Sequence, residues 1–423
     1  MKKIILYNKK KTKNNNFSWV IKNYYIIAIA IYFINLFFSF RVGLVCGMIM
    51  MFIVSEYFVK KIKKLAFDET DIFVFLYVIY NILTIFIGAL EGYSISIGIS
   101  EFSNSILPII FYFTAKDMNL SEEKNFINSF IISAVFLVII GIIMYVTVPN
   151  IYISYMKRTM IYFYLDSYLA APRMHSFTGS VIVGSISSMG LALSLYYVII
   201  GQKIKKNLLH CMIFLVGIIL TSQRSAMAFA IIVIAFMMVL AYKINSITFM
   251  KCVKYGIVIS LILIMFLLYN HELLIQTVSR ILSIGSAVSE RNQNWGVIWE
   301  QGLGTIAGTG LGSKGHRGIG INDIIIADGN YPKMIYEIGL FGFALFFCIM
   351  LITILKGLRD FKEKGVYLCI VSGILGQAIG SNVLCFQLIV PMFWFSIGRI
   401  NCKKNVLIYK NKTAVKQQIK EIN

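Results

Sequence analysis

Long apolar segments separated by short charged segments make up most of the chain from residue 24 onward. About 20 mostly apolar residues are enough for a helix to cross the hydrocarbon core of a bilayer. The pattern therefore predicts about twelve transmembrane helices, at 24–40, 42–59, 71–90, 103–115, 126–148, 179–200, 208–222, 226–242, 255–270, 335–355, 366–384 and 386–398. The shortest three, at 103–115, 208–222 and 386–398, could be broken or tilted helices.

The composition agrees with a membrane protein. Of the 423 residues, 58% are hydrophobic and 14% are charged, whereas soluble domains average roughly 45–50% apolar and about 25% charged residues. No internal repeat, linker or long polar stretch divides the chain. We therefore expect an all-α polytopic protein with a single membrane domain over 1–423, whose first apolar segment is not cleaved as a signal peptide.

The distribution of cations predicts the orientation. The net charge of +21, from 40 Lys and Arg against 19 Asp and Glu, would suggest nucleic-acid binding in a soluble protein. With the N-terminus inside, however, thirty of the 40 cations fall in inner segments. Because cytoplasmic loops are enriched in Lys and Arg, this predicts an N-in, C-in topology in the cytoplasmic membrane and requires no nucleic acid.

The outer cations differ in type from the inner ones. Twenty-eight of the thirty inner cations are Lys, whereas seven of the ten outer cations are Arg. The planar guanidinium can form paired hydrogen bonds with phosphate or carboxylate. The outer face is therefore predicted to hold an oxygen-rich anion, although any single outer arginine could equally contact lipid headgroups or an outer carboxylate.

Two outer arginines lie where apolar segments begin. Arg173 belongs to the outer loop 149–178 and precedes the sixth segment, and Arg224 precedes the eighth within Thr-Ser-Gln-Arg-Ser-Ala. We expect Arg224 to begin a helix with Ser222 as its cap. An arginine beside the free N–H groups and positive end of a helix favours anion binding.

The longest outer loop, predicted over 271–334, precedes the tenth segment and carries most other candidates. Glu337, which follows it within an apolar helix, is either a hydrogen-bond partner inside the bundle or the counter-ion of an outer arginine. The glycines of the loop are also compatible with simple turns. In order, the loop contains Arg280, Glu290, Arg291, the glycine-rich Gly308–Ser313, His316, Arg317, Asp328 and Tyr331.

These features together resemble the O-antigen polymerase and O-antigen ligase superfamily, which are polytopic glycosyltransferases of the C type. The shared features are arginine-bearing helix junctions, a long outer loop late in the chain, and Asp328-Gly-Asn-Tyr running into Glu337-Ile-Gly-Leu-Phe-Gly. The resemblance covers most of the chain by topology and residues 173–342 by motif. Asp328-Gly329 stands where ligases commonly show His-Asn, which favours the polymerase branch and leaves the general base open.

Individual residues can be carried over from the family. Ser-Gln-Arg224-Ser-Ala is similar to a Ser-Arg-Gly-Ala-like motif whose arginine is implicated in binding a lipid pyrophosphate. Arg173 is similar to the arginine that precedes the neighbouring span, and Gly308–Ser313 to the glycine-rich stretch of the large loop. The remaining matches, to the His-Asn-x-Tyr and Glu-x-Gly positions, are Asp328, Tyr331, Glu337 and Gly339.

The resemblance implies a polysaccharide repeat-unit polymerase. Such an enzyme transfers a growing glycan from undecaprenyl pyrophosphate to the sugar end of another lipid-linked repeat, at the outer face of the cytoplasmic membrane. Its partners would be the lipid-linked oligosaccharide, the bilayer, a chain-length regulator and a flippase. No Asp-x-Asp motif lies in the outer segments, so we expect metal-independent chemistry without a cofactor.

The enzyme must neutralise the charge that develops on the pyrophosphate and position the acceptor hydroxyl, with a base to take its proton. We expect Arg173, Arg224 and Arg291 to hold the pyrophosphates. Asp328, His316 and Glu290 are the candidate bases, in that order of preference. The other substrate-binding candidates are Arg280, Arg317, Tyr331 and Glu337.

Two alternatives remain open. One is a ligase that passes the polymer to another acceptor, and the other is a polysaccharide flippase or other transporter. Twelve-helix transporters usually show internal symmetry between their halves. The loops at 149–178 and 271–334 have no matching motif, and the outer charges cluster at one face, so the polymerase is the preferred hypothesis.

Overall fold

The computed structural model of the chain describes residues 16–38, 40–61, 68–147, 173–269, 271–282, 306–315, 326 and 328–402. Every regular element in these ranges is a helix, as predicted, and they contain no strand. The helices are α1 (Asn16–Lys22), α2 (Tyr24–Ile34), α3 (Val42–Lys61), α4 (Glu69–Leu90), α5 (Ile95–Glu101), α6 (Ile110–Asp117), α7 (Leu120–Thr147), α8 (Ser180–Ile199), α9 (Ile204–Thr221), α10 (Arg224–Ile244), α11 (Ser246–Tyr269), α12 (His271–Leu282), α13 (Asn330–Arg359), α14 (Phe361–Ala378) and α15 (Val390–Asn401).

Eight segments in the described ranges are long and apolar enough to cross a membrane. Large apolar side chains on them face outward; Leu90, for example, is 89% exposed. Contiguous apolar surface of this extent suits a lipid solvent rather than water. The protein is therefore a polytopic helical membrane protein. The eight segments are Val42–Val59, Glu69–Leu90, Ile95–Asp117, Leu120–Val146, Ser180–Ile199, Ile204–Thr221, Arg224–Ile244 and Asn330–Arg359.

Several predicted helix boundaries are wrong; α7, for example, begins at Leu120 instead of 126, and α14 ends at Ala378 instead of 384. The segment 24–40 stops being helical after Ile34, because the Asn35 side chain accepts a hydrogen bond from the Phe40 N–H over 2.9 Å and stabilises a turn. The helix predicted at 255–270 begins earlier, at Ser246. The loop predicted over 271–334 starts with amphipathic α12, whose charged residues resemble a loop in sequence, and ends where α13 begins at Asn330.

The short segment predicted at 103–115 is a broken helix that runs from Ile95 to Asp117. Between α5 and α6 it contains a π-turn, Phe102–Ile106, and a 3₁₀ turn, Leu107–Ile109. Pro108 has no N–H to donate within this stretch, which favours the departure from α-helical geometry. By contrast, the short segment predicted at 208–222 belongs to the uninterrupted helix α9, which begins earlier, at Ile204, and ends at Thr221.

Helix α8 lies at the centre of the bundle, and almost all of its residues are buried. It packs against α7, α9, α10 and α14. Small residues allow these close approaches: a Cβ added at Gly184 would lie 2.7 Å from the Ala226 Cβ, and one at Gly190 would lie 2.5 Å from the Phe214 ring. Without a hydrophobic driving force between helices in lipid, such close packing is a main source of association.

The helix ends form two opposite faces, named here after the ends of α13 as the Asn330 face and the Arg359 face. At the Arg359 face, Lys116 donates hydrogen bonds to Asp68 over 2.9 Å and to Asp71 over 2.6 Å. The two aspartates also form the capping box at the start of α4. Burial opposes ionisation of Asp68, but hydrogen bonds from Lys116 and the Asp71 N–H hold its pKa below the ordinary value.

A buried ion pair joins α7 and α15 near the same face. Arg399 and Glu123 are 2% and 1% exposed at their side chains, and their charged atoms lie 2.5 Å apart. The Tyr367 hydroxyl donates to the same carboxylate. The Arg399 guanidinium also donates to the Ala115 carbonyl over 3.0 Å. Because both charges are buried and hydrogen-bonded, each depends on the other for its stability.

Candidate functional site

The glycine-rich segment Ile306–Gly315, called the glycine loop below, lies at the Asn330 face and binds to a break in α13. The break occurs at Gly339, whose φ of 68° is outside the helical region. In an intact helix the Glu337 carbonyl would accept from the Phe341 N–H. Here it accepts from the Gly310 N–H over 2.9 Å, and the Phe341 N–H donates to the first carbonyl of the loop over 3.3 Å. The loop thus satisfies the backbone groups that the break releases.

The Glu337 carboxylate holds the other end of the glycine loop. Its Oε1 accepts a hydrogen bond from the Lys314 N–H over 3.1 Å. Its Oε2 lies 3.6 Å from the Lys333 ammonium, which also forms an ion pair with Glu101 at the end of α5. Among the described residues the ion-pair partner of Glu337 is therefore a lysine of its own helix, and the carboxylate also acts as a hydrogen-bond acceptor within the bundle.

Helix α4 covers the opposite side of the glycine loop. A Cβ added at Gly310 would lie 2.3 Å from the Gly88 Cα, so the two backbones are in direct contact. The Tyr80 hydroxyl donates to the Ala307 carbonyl over 3.0 Å. The loop is therefore fixed between α4 and α13, and its glycines are required by close backbone approach as well as by turn geometry.

A main-chain hydrogen bond brings the two arginine motifs together at one junction of the Asn330 face. The Met174 N–H, next to Arg173, donates to the Leu220 carbonyl over 2.9 Å. Four residues after Leu220, Arg224 begins α10. Both arginines are half-buried. Positions 173 and 224, which are 51 residues apart in the chain, thus adjoin the same junction.

The cap of α10 differs from the one predicted. The residue before the helix is Gln223, which makes no side-chain cap hydrogen bond, and Ser222 adopts a left-handed conformation with φ of 50° at the end of α9. The Gln223 amide instead donates to the Ser180 hydroxyl over 2.6 Å, at the start of α8. Ser222 ends one helix rather than capping the next because almost no chain separates the two.

His175 belongs to the same junction as a buried neutral side chain. It is 5% exposed, and its Nδ1 accepts a hydrogen bond from the Ser180 N–H over 3.2 Å, which caps α8. Burial, with a smaller effect from the positive charge of Arg173, lowers the pKa of His175 to about 3. His175 therefore orders the start of α8 without adding positive charge beside Arg173.

A row of hydroxyl and amide groups, called the polar seam below, connects the N-terminus of α10 with the end of the glycine loop. The Ser225 hydroxyl lies 3.1 Å from that of Ser381, just beyond α14. The neighbouring Asn382 donates from Nδ2 to the Ile326 carbonyl over 2.8 Å. The Ile326 N–H in turn donates to the Lys314 carbonyl over 2.8 Å. Hydroxyl and amide groups therefore extend from one arginine motif to the predicted base region.

Asp328 and Tyr331 lie at the end of this seam with different environments. Asp328 is exposed, two residues before α13. The Tyr331 hydroxyl donates to the Leu375 carbonyl over 2.7 Å, which fastens α13 to α14. We therefore assign Tyr331 a packing role, whereas Asp328 is accessible at the face that carries Arg173 and Arg224.

Several predicted site residues cannot be placed. Glu290, Arg291, His316 and Arg317 lie outside the described residues. Arg280 is on α12, and only its backbone is described. Among the described residues there is no group of three or more His, Cys, Asp or Glu side chains that could hold a metal ion.

Two buried polar residues near the glycine loop, Glu101 and Asn81, were not among the candidates predicted from the sequence. Glu101 is 3% exposed and contacts Lys333, which is 232 positions away in the chain. Asn81 lies in the middle of apolar α4 and is fully buried. A charged or amide residue inside an apolar segment was the signal that could have found them.

The Asn330 face is suited to holding an anion. Helices α8, α10 and α13 all begin there, which directs the N–H groups of their first turns and their positive dipole ends toward it. Two half-buried arginines add guanidinium donors, whose hydrogen bonds to a charged acceptor are worth about 1.5–3 kcal/mol each.

Comparisons of the chain with protein-family models, curated proteins and solved structures found no match.

Proposed function

We propose that the protein is a polysaccharide repeat-unit polymerase of the cytoplasmic membrane. In this proposal the chain crosses the bilayer twelve times with both termini inside, as its cation distribution indicates. The Asn330 face then lies outside, where lipid-linked repeats are elongated. The resemblance to the O-antigen polymerase and ligase superfamily supports the same assignment.

The observation that carries the proposal is the Met174–Leu220 main-chain hydrogen bond, which joins the two arginine motifs. A pyrophosphate presents two charged groups, and two guanidinium forks beside a helix N-terminus match that requirement. Arg173 and Arg224 would stabilise the charge that develops on the pyrophosphate as the glycosidic carbon–oxygen bond breaks. Their partial burial strengthens this interaction relative to water.

Asp328 is the proposed base for the acceptor. The acceptor hydroxyl oxygen forms the new bond to the anomeric carbon, its proton passes to the Asp328 carboxylate, and the bonding electrons leave with the pyrophosphate. Asp328 is exposed on the face that carries the arginines, and the seam of hydroxyl and amide groups beside it offers hydrogen-bond partners for sugar hydroxyls. A positioned base of this kind typically contributes about 10²- to 10⁴-fold in rate.

The experiment that tests the proposal removes this protein from cells that normally display the polysaccharide and then follows their lipid-linked glycans. A polymerase predicts that single repeats still reach the outer surface and long chains disappear. A ligase predicts long chains that stay on the lipid carrier. A transporter predicts single repeats trapped at the inner leaflet, and either of the last two outcomes would overturn the proposal.

The transporter is the second candidate because of one specific observation. Glu101, Lys333 and Glu337 form an ionic cluster inside the apolar bundle, and ionisable groups inside a membrane often belong to transport or proton pathways. The position of the single repeats, outer or inner leaflet, separates this candidate from the polymerase.

A further inference from the structure

A small polar cavity lies beneath the glycine loop, between α4, the broken segment Ile95–Asp117 and α13. Its volume is about 40 Å³, which is enough for a water molecule. Its polar lining residues are Tyr77, Asn81, Glu101, Ser105, Asn330, Lys333 and Glu337. Glu337 lies seven residues from the start of α13, which places its position on the helix about 10 Å below the helix end, and neither Arg173 nor Arg224 lines the cavity. The site is thus distinct from the arginine junction.

The charges around the cavity do not balance when all three ionic groups are ionised. Glu101 and Glu337 face a single ammonium, that of Lys333, and all three side chains are at most 5% exposed. No arginine lines the cavity in the described part of the chain. An uncompensated charge in an apolar interior is strongly unfavourable. One further positive charge is needed for neutrality.

Other titratable groups near the cluster do not provide that charge. Tyr77 of α4 and Cys385 of the Val383–Cys385 turn both lie close enough to interact with it electrostatically, and neither can carry a positive charge. The Lys314 ammonium is placed elsewhere, 5.7 Å from the centroid of the Tyr93 ring. No residue in the described part of the chain therefore supplies the missing charge.

Asn81 supplies an independent indication of a ligand. Its Nδ2 donates to the Tyr77 carbonyl over 2.8 Å. Asn81 lines the cavity, and its Oδ1 is buried and accepts no hydrogen bond from any of the described residues. A buried acceptor without a donor is unfavourable. A carboxylic acid O–H, or a water molecule that it orients, would supply the missing donor.

We propose that this cluster is a proton-binding site, in which Glu101 and Glu337 share one proton, Lys333 stays charged, and the O–H is shared with Asn81 directly or through one water molecule. A proton satisfies both the charge and the orphan acceptor. A sodium ion could also be coordinated by the Asn81 Oδ1, but the Lys333 ammonium in the same cavity would repel it. The site is additional to the polymerase proposal and does not depend on it.

Infrared spectroscopy of the purified protein in lipid tests this proposal without any glycan substrate. The wild-type protein should show one carboxylic acid C=O band at neutral pH that shifts in D₂O. The band should disappear in Glu101→Gln and in Glu337→Gln, because one carboxylate then balances Lys333. The intensity of the band should about double in Lys333→Met, because both carboxyl groups must then be protonated. Glu123→Gln, in the buried pair with Arg399, is the control that should leave the band unchanged.

Three results would overturn the proposal. The first is a wild-type spectrum without a carboxylic acid band at neutral pH, which needs no variant to fold. The second is a band that survives in both Glu101→Gln and Glu337→Gln. The third is loss of the band when sodium chloride replaces choline chloride, which would assign the cavity to an alkali ion.

Discussion

Gly88 of α4 and Gly310 of the glycine loop meet backbone to backbone. A Cβ on Gly310 would lie 2.3 Å from the Gly88 Cα, and Gly310 has a φ of 109°. The loop that carries the glycine-rich motif is thus held against the membrane helices by an approach that leaves no room for a side chain.

Gly310→Ala should therefore destabilise the protein strongly. We expect about 1–2 kcal/mol from the positive φ and about 1–3 kcal/mol more from overpacking. Gly92→Ala is the matched control, because Gly92 has a φ of 88° and an added Cβ would meet nothing within 4 Å. Thermal unfolding in detergent should show the larger loss in Gly310→Ala; equal losses would mean that the close contact with Gly88 is absent.

His175 should make the protein sensitive to acid. Its pKa falls from the ordinary 6.5 to about 3 in the folded protein, so the unfolded state binds a proton first as the pH drops. The free energy of unfolding should then decrease below pH 6.5 and lose about 2 kcal/mol at pH 5 through this group.

The variant His175→Asn tests that linkage. An Asn Oδ1 can accept the Ser180 hydrogen bond in place of Nδ1 but does not titrate. Unfolding measured between pH 7.5 and 5 should show a smaller loss in this variant than in the wild type. His271→Asn, at an exposed position, is the matched histidine control. A loss in His175→Asn as large as in the wild type would mean that another group causes the acid sensitivity.

The Glu123–Arg399 pair should show strong coupling. Arg399→Leu leaves a buried carboxylate without its counter-ion and should reduce the free energy of unfolding by about 3–5 kcal/mol. Glu123→Leu combined with Arg399→Leu should be less destabilising than Arg399→Leu alone. Arg359→Leu serves as the control, since that side chain is 78% exposed. Additive losses in the double variant would show that the two charges do not interact.

Asp328→Asn tests the proposed base. Removing the proton acceptor should slow chain elongation by about 10²- to 10⁴-fold while the level of protein in the membrane stays the same. Asp360→Asn, at the opposite face, is the matched control. Elongation at the wild-type rate in Asp328→Asn would transfer the role to His316 or Glu290.

The sequence predicts the membrane class and most helices because the signal is local. An apolar run of about 20 residues identifies a span regardless of its neighbours. The segment Ile95–Asp117 shows the limit of this signal. Because the charged Glu101 lies inside it, the span was predicted to begin only at residue 103. Helix α12 was missed for a similar reason, since an amphipathic helix with charged residues resembles a loop in a hydropathy pattern.

The contact between the two arginine motifs depends on long-range packing and could not be predicted. The junction of Arg173 with Arg224 rests on a main-chain hydrogen bond between Met174 and Leu220, which no side-chain pattern encodes. The sequence left two possible partners for Glu337, a hydrogen-bonding group inside the bundle or an outer arginine. Its own helix supplied Lys333 four residues earlier, a spacing that places both side chains on one helix face.

The central claim, that Arg224 helps to hold a pyrophosphate during chain elongation, is tested most directly by glycan chain length in cells that carry Arg224→Lys. Lys keeps the positive charge but lacks the planar fork. Arg359→Lys, exposed at the opposite face, is the control and should give the wild-type ladder of chain lengths. We predict that Arg224→Lys retains single repeats and loses the long chains. A normal ladder in Arg224→Lys, at wild-type protein levels, would contradict pyrophosphate binding by Arg224.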